Sequence, residues 1–276
     1  MKALRWISIL IVAFVAAPMF IVVPMSFSHS QSFEFPPPGY WLGYYEAYFS
    51  DPRWTLPTLN SLLIGAGTAL LTMVLVVPAT FALTRARFKG RNALNLLLIL
   101  PLTVPHIVVA LGYYYYFGEL GLVQSRLGVV LAHTCLSVPV AYLIVSATLK
   151  GFDRNLERAA QNLGASPLQA FFLVTFPVLR PGFLAAALFS FVHSFDEAVV
   201  SLFISGRDAA TLPRQMFDSL RMQADPVISV VSTLILVVMI LALAIPRLVR
   251  RARRAATAPR ASQPSPVLGE RLENSC

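Results

Sequence analysis

The chain has 276 residues, 57% of them hydrophobic and 13% charged, with a mean hydropathy of +0.68. A soluble domain of that composition would leave large apolar areas in water, so lipid is the solvent for most of the chain. The net charge of +9 does not point to nucleic acid, because the basic residues gather in short segments between apolar runs, the distribution that sets membrane orientation.

Six stretches carry the roughly 20 apolar residues that a spanning helix needs: 6–27, 56–83, 93–117, 127–149, 183–204 and 227–249. None alternates in the manner of a membrane β-strand. The expected fold is an all-α membrane protein with six transmembrane helices packed as one domain over residues 1–249. The first stretch follows Lys2 and Arg5 and holds Ala13, Ala16 and Ala17, as a cleaved signal does. Its apolar run continues to Phe27, beyond the roughly 7–15 residues of a signal core, so retention as a helix kinked at Pro18 and Pro24 is expected. The next loop carries Pro36, Pro37 and Pro38, then Tyr40, Trp41, Tyr44, Tyr45, Tyr48 and Trp54. Those rings read as an interfacial aromatic belt or as a docking surface for an external protein.

Arg85, Arg87, Lys89 and Arg91 fill the short loop before the third stretch. With both termini in the cytoplasm, 17 of the 22 basic residues lie inside and 5 outside, the positive-inside bias. His106 follows Pro105 in the third stretch. Hydrogen bonding to a neighbouring helix is the plain reading of a single apolar-segment histidine, and a place on a substrate path is the other. The run Tyr113–Tyr116 reads as an interfacial anchor, with stacking on a cation as the alternative. His133 and Cys135, in the fourth stretch, read as packing.

The loop over 150–180 is built differently. Asp153 can cap a short helix in which Leu156, Ala159, Ala160 and Leu163 recur at helical spacing, and Gly164 supplies a left-handed stop. Ser166, Pro167 and Gln169 form a capping box with proline at the first helical position, and Pro177 is expected to end that second helix. Small Ala159, Ala160 and Gly164 allow close approach of a partner, while Arg154, Glu157, Arg158 and Gln161 line the other side. A docking element and an ordinary surface hairpin fit this spacing equally well.

Asp196 and Glu197 fall near the middle of the fifth stretch, where an ionised carboxylate costs about 2.5–3.5 kcal/mol, so such residues face a bundle interior or a watery path. Neighbours on a helix point about 100° apart, so one acid can line a path for a cation while the other pairs with a neighbour. His193 can alternatively pair with them along the same helix face. The cluster 250–254 can touch anionic lipid, and residues 250–276 read as a basic, disordered cytoplasmic tail. Cys135 and Cys276 form no plausible disulfide, and neither a metal-ligand spacing nor a phosphate-binding glycine loop occurs.

The pattern of Glu157, Ala159, Ala160, Gly164 and, thirteen residues on, Pro177 resembles the EAA loop of the permease subunits of bacterial ABC importers, with Arg158 standing where that loop usually has an acid. The segment SFDEAVVSLFISGRDAATLPRQMFDSLRMQADPVISVVSTLIL and the third-stretch motif LPLTVPHIVVALG resemble the polyamine-type branch. The resemblance covers roughly residues 56–245. It implies the type I importer permease fold, a pair of cytoplasmic ATP-binding subunits, a second related permease subunit, an external solute-binding protein, a bacterial inner-membrane location, and no catalytic residue, cofactor or metal in this chain. It also implies coupling through Glu157, Arg158, Ala159, Ala160, Gly164 and Pro177, and import of a polyamine past Asp196, Glu197, His193 and His106. Import of another small solute, or ion-coupled transport with Asp196 and Glu197 carrying protons, are the alternatives. An intramembrane hydrolase built from His193, Ser194 and Asp196 is excluded, because sequence neighbours on one helix cannot reach triad geometry.

Topology is testable by labelling a single cysteine at position 88 in a variant lacking Cys135 and Cys276. An impermeant thiol reagent outside intact cells is expected to leave it unlabelled, and strong labelling would overturn the orientation.

Overall fold

The computed structural model describes residues 2–30, 34–222 and 225–256. The described elements are α1 Lys2–Met25, α2 Gly43–Ser50, α3 Pro52–Arg85, α4 Arg91–Ile99, α5 His106–Glu119, α6 Arg126–Lys150, α7 Arg154–Asn162, α8 Pro167–Ala170, α9 Phe176–Asp196, α10 Val199–Ile204, α11 Leu212–Met222 and α12 Val227–Ala256. A 3-10 turn, Leu100–Thr103, follows α4, and a π turn, Phe171–Thr175, joins α8 to α9. Among the described residues there is no strand, only an isolated bridge between Ser28 and Tyr40. Among the described residues four helical runs are long and apolar enough to cross a membrane: Arg5–Met25, Pro52–Arg85, Arg126–Lys150 and Pro167–Asp196. A bent pair makes up to five, and Val227–Leu241 is a shorter apolar helix.

Start signals are local. Asp51 accepts from the Arg53 N–H at 2.8 Å with Pro52 in the first turn of α3, and Ser125 Oγ accepts from the Gly128 N–H at 3.0 Å at the start of α6.

Three expectations are corrected by the backbone. The stretch 93–117 is not one helix: Arg91–Thr103 and His106–Glu119 meet at 104°. Pro101 and Pro105 lack N–H donors, and Pro105 forces Val104 to an extended ψ of 130°. The stretch 183–204 is not one helix either, since α9 stops at Asp196 and Glu197 is extended, with ψ 102°. Nor does Pro177 end a helix, because it sits in the first turn of α9. A proline ring clashes with the carbonyl four residues back. The π turn just before it, where the Phe176 N–H donates to Phe171 O, widens the backbone there and carries the helix through.

The chain divides into two compact units, residues 45–225 and residues 1–44 with 226–276. In the first, α3, α6 and α9 pack on one another, α10 packs on α5 and α6, and α11 lies on α3. One apolar cluster gathers Val76, Tyr142, Val145, Leu179 and Phe183, and another gathers Ile64, Phe117, Val129, Val200 and Ile204. Between the helices lie buried Thr68, Thr72, Ser137, Ser190 and Ser194. Small residues of this kind allow close approach and hydrogen bonding between helices in lipid. At Gly182 a Cβ would stand 2.3 Å from the Thr148 side chain, so α9 and α6 can meet there only through glycine. Leu62, Leu63, Leu70 and Leu75 of α3 stay exposed, as a lipid-facing stripe does.

In the second unit α1 packs with α12, and Tyr44 Oη donates to Ser30 O at 2.8 Å. A disordered tail is expected over 250–276, but helix α12 runs to Ala256, so the first seven residues of that segment are helical; residues 257–276 lie outside the described residues. The aromatic belt is only part of the story around α2. Trp54 is 1% exposed and Tyr48 is buried with its hydroxyl 2.9 Å from Thr58 Oγ1, so these two rings are core.

The turn before α11 is clipped to α3 by side chains. Asn60 Nδ2 donates to Asp208 O and Ala210 O, each at 3.0 Å, and Ser61 Oγ accepts from the Leu212 N–H at 2.8 Å. Asn60→Leu leaves two carbonyls without their donor and is expected to cost about 1–3 kcal/mol. A thermal melt of the purified variant should show a lower apparent Tm, and an unchanged Tm would show that the clip is dispensable.

Candidate functional site

Two places gather the residues singled out in the sequence. The first is the loop built on α7. Asp153 accepts from the Asn155 N–H at 2.9 Å, and Gly164 takes φ +93°. Ser166 Oγ and Gln169 Oε1 exchange hydrogen bonds with each other's backbone N–H at 3.3 and 2.8 Å, completing the capping box. No residue of α7 is buried. Leu163 is 89% exposed and Leu168, Phe172 and Leu173 are exposed beyond it, which leaves an apolar patch on a polar, capped element. Arg158 and Ala159 are exposed, Ala160 is half-buried, and Pro177 lies thirteen residues past Gly164 in α9. Glu157 is held by its own chain in an ion pair: Arg85 Nη1 donates to Oε1 at 2.9 Å and Nη2 lies 2.8 Å from Oε2. The Arg85 guanidinium also stands 4.6 Å from the Phe81 ring centroid. These contacts fix α7 against the end of α3, and they leave Arg154 and Arg158 as its exposed charges.

The second place is the break between α9 and α10. The two acids are separated by the end of α9 rather than by helical geometry, Asp196 being exposed and the extended Glu197 buried. Glu197 Oε1 accepts from the Val200 N–H at 3.1 Å, and Oε2 lies 2.9 Å from His106 Nδ1, at the first turn of α5. His106 thus pairs with a residue at the end of a neighbouring helix, and Glu197 pairs with α5 rather than with His193. His193 is half-buried beside them, its ring centroid 6.2 Å from that of His106, and its enclosed Nδ1 has no hydrogen-bond partner.

His133, read from sequence as packing, is part of this site. Its Nδ1 lies 2.8 Å from Ser194 Oγ, before the break, and its Nε2 lies 3.2 Å from Ser201 Oγ, after it. Ser201 Oγ donates in turn to Glu197 O at 2.9 Å. With serines on both ring nitrogens and no acid on either, His133 and Ser194 do not form a hydrolytic triad. The sequence offered one signal, serines at 194 and 201 on either side of the acid pair. Their meeting with a histidine in another helix is long-range.

A helical membrane protein with a capped surface helix and a charged helix break has the build of a transporter subunit. The chain matches, over residues 75–255, the family described as binding-protein-dependent transport system inner membrane component. It belongs to that family. It is 32% identical over 234 residues to the putrescine transport system permease protein PotI of Escherichia coli, covering 81% of this chain and 82% of that protein. It is 26% identical over 239 residues to the spermidine/putrescine transport system permease protein PotC of Haemophilus influenzae, covering 87% and 93%. A crystal structure of a bacterial ABC transporter involved in the import of the acidic polysaccharide alginate contains a chain that aligns with TM-score 0.63 and 16% identity, over 88% of this chain and 94% of that one. That likeness shows a shared fold.

Gly164 is held by backbone strain rather than by space, since a Cβ there would meet nothing within 4 Å. Gly164→Asn, which tolerates the left-handed region, should keep the α7 stop, while Gly164→Val should cost about 1–2 kcal/mol. Faster amide exchange over residues 157–163 in the valine variant alone is the expected readout.

Proposed function

We propose that this chain is the six-helix permease subunit of an ATP-driven importer, with both termini and the α7 loop in the cytoplasm, moving a polyamine such as putrescine across the inner membrane. In this reading the bent pair α4–α5 is one span and α12 is the sixth. The observation that carries it is α7: a helix capped at its start, stopped by a left-handed glycine and with none of its own residues buried. That is a surface prepared for another protein. A pair of ATP-binding subunits receives it and hydrolyses ATP, a second related permease subunit completes the path, and a soluble binding protein delivers the solute from outside.

Because Glu157 is engaged by Arg85, the docking contact falls to Arg158 and the apolar patch at Leu163, and the partner groove carries an acid for Arg158. A second permease subunit and the lipid cover the exposed faces of α3 and α9.

The relatives named for putrescine and spermidine/putrescine support a polyamine substrate, and so does the charge of the site. Asp196 and Glu197 present two carboxylates at one helix break, so a flexible cation carrying two ammonium groups can meet both. In a path of low dielectric those pairs are stronger than in bulk water. His106 holds Glu197 when no substrate is present and yields it to an ammonium group. His193 lines the same place.

The test is ATP-dependent putrescine uptake into vesicles holding the assembled complex. Asp196→Asn, at an exposed position, should keep complex yield and lose most uptake. Glu197→Gln leaves His106 without its partner, so complex yield should fall together with uptake. Uptake at the wild-type rate in both variants, or uptake that needs no ATP, would contradict the proposal.

A further inference from the structure

We infer that His106, His193 and Glu197 form a binding site for a divalent transition-metal ion of the Zn2+ kind. Binding itself rests only on the placement of these three side chains. Its effect on transport rests on the cation path proposed above.

Each residue offers one donor atom, and the three atoms lie within 4.8 Å of one another. The His106 Nδ1 to Glu197 Oε2 edge is already 2.9 Å. A tetrahedral Zn2+ with bonds of about 2.0–2.1 Å places its donors about 3.3 Å apart, so small rotations of the imidazoles close the set. Two imidazoles and one carboxylate, with a fourth position open, suit Zn2+ and the neighbouring first-row ions and do not suit Mg2+, which takes oxygen ligands.

The surroundings hold the donors as a metal site requires. The Val200 N–H fixes Glu197 Oε1 and leaves Oε2 for the histidines. His193 stands one turn before Glu197 on α9, and His106 is fixed at the start of α5 by the bend at Pro105. The ion pair of His106 with Glu197 gives no reason for a second imidazole beside it. His193 packs against Phe189, its ring centroid 5.9 Å away, but its enclosed Nδ1 has no hydrogen-bond partner, so the ion pair leaves this nitrogen unused. The chain's two other histidines are employed elsewhere: His133 lies between two serines, and His29 packs 5.2 Å from Trp41.

An ion here occupies the carboxylate that the cation path uses, so it plugs the path. Spacing along the chain does not mark these residues as metal ligands, because they come together through a bend in one helical pair and a break in another.

The test uses the full chain in lipid nanodiscs, purified through a tag free of histidine. One Zn2+ per chain is expected, Co2+ should show the visible bands of a tetrahedral site, and Mg2+ should not compete. His106→Ala, His193→Ala and Glu197→Gln should each weaken binding about 10-fold or more. Since a variant could misfold, melting gives a second reading: Zn2+ should raise the Tm of the wild type and not that of His193→Gln. No stoichiometric site in the folded wild type, or equal affinity in all three variants, overturns the inference. Zn2+ that fills the site should also stop putrescine uptake by the assembled wild-type complex. Stoichiometric binding that leaves uptake unchanged upholds the metal site and counts against Glu197 as part of the path.

Discussion

A helix that breaks inside a protein surrounded by lipid exposes backbone N–H and C=O groups that water cannot satisfy, and every such group must find a partner within the chain. The break between α9 and α10 meets this demand through Glu197. Its carboxylate accepts from the Val200 N–H, and its carbonyl accepts from Ser201 Oγ. Ser205 Oγ donates to Ser201 O, and Arg214 donates to both Ser205 Oγ and Gly206 O. His133 Nε2 lies 3.2 Å from Ser201 Oγ on the far side of the break. With Nδ1 against Ser194, His133 braces both sides of the break from α6. The acid that gives the site its charge is also the group that lets the backbone open there.

The same reasoning links the two candidate sites. From Pro167 to Asp196 the chain is one helical run, carried over Pro177 by the π turn, and 30 helical residues span about 45 Å. One end is the capped loop that presents Arg158 and Leu163, and the other is the break at Glu197. α7 packs on α8 and on the π turn at the start of that run, so in the proposed function a push on α7 from a partner would reach α9 through these packing contacts. The Arg85–Glu157 pair ties α7 to α3, and the close approach at Gly182 seats the run against Thr148 of α6.

The sequence made legible whatever is local. The caps at Asp153 and Ser166, the glycine stop at Gly164 and the all-helical character all follow from spacing and composition. Proline chemistry was legible in part: Pro101 and Pro105 bend the third stretch, and they could have been read that way, whereas Pro177 looked like a stop and is a start. The break at Glu197 had no glycine or proline to announce it. Residues 183–204 read as continuous because tertiary hydrogen bonds, not local preference, pull the backbone out of helix there. Arg85 with Glu157, His106 with Glu197 and His133 with Ser194 each join separate helices, and periodicity cannot reveal such pairs. The burial of Trp54 and Tyr48 escaped for the same reason, since an aromatic cluster beside a membrane segment suits interface and core alike.

The most direct measurement is a cryo-EM structure of the complex assembled from this chain and its partner subunits, with putrescine present and ATP hydrolysis blocked. The account predicts α7 seated in a groove of the ATP-binding subunit with Arg158 against an acid, and an amine nitrogen about 3 Å from the Glu197 carboxylate in place of His106. A diamine bound away from the α9–α10 break, with α7 in solvent and the His106–Glu197 pair intact, would contradict it.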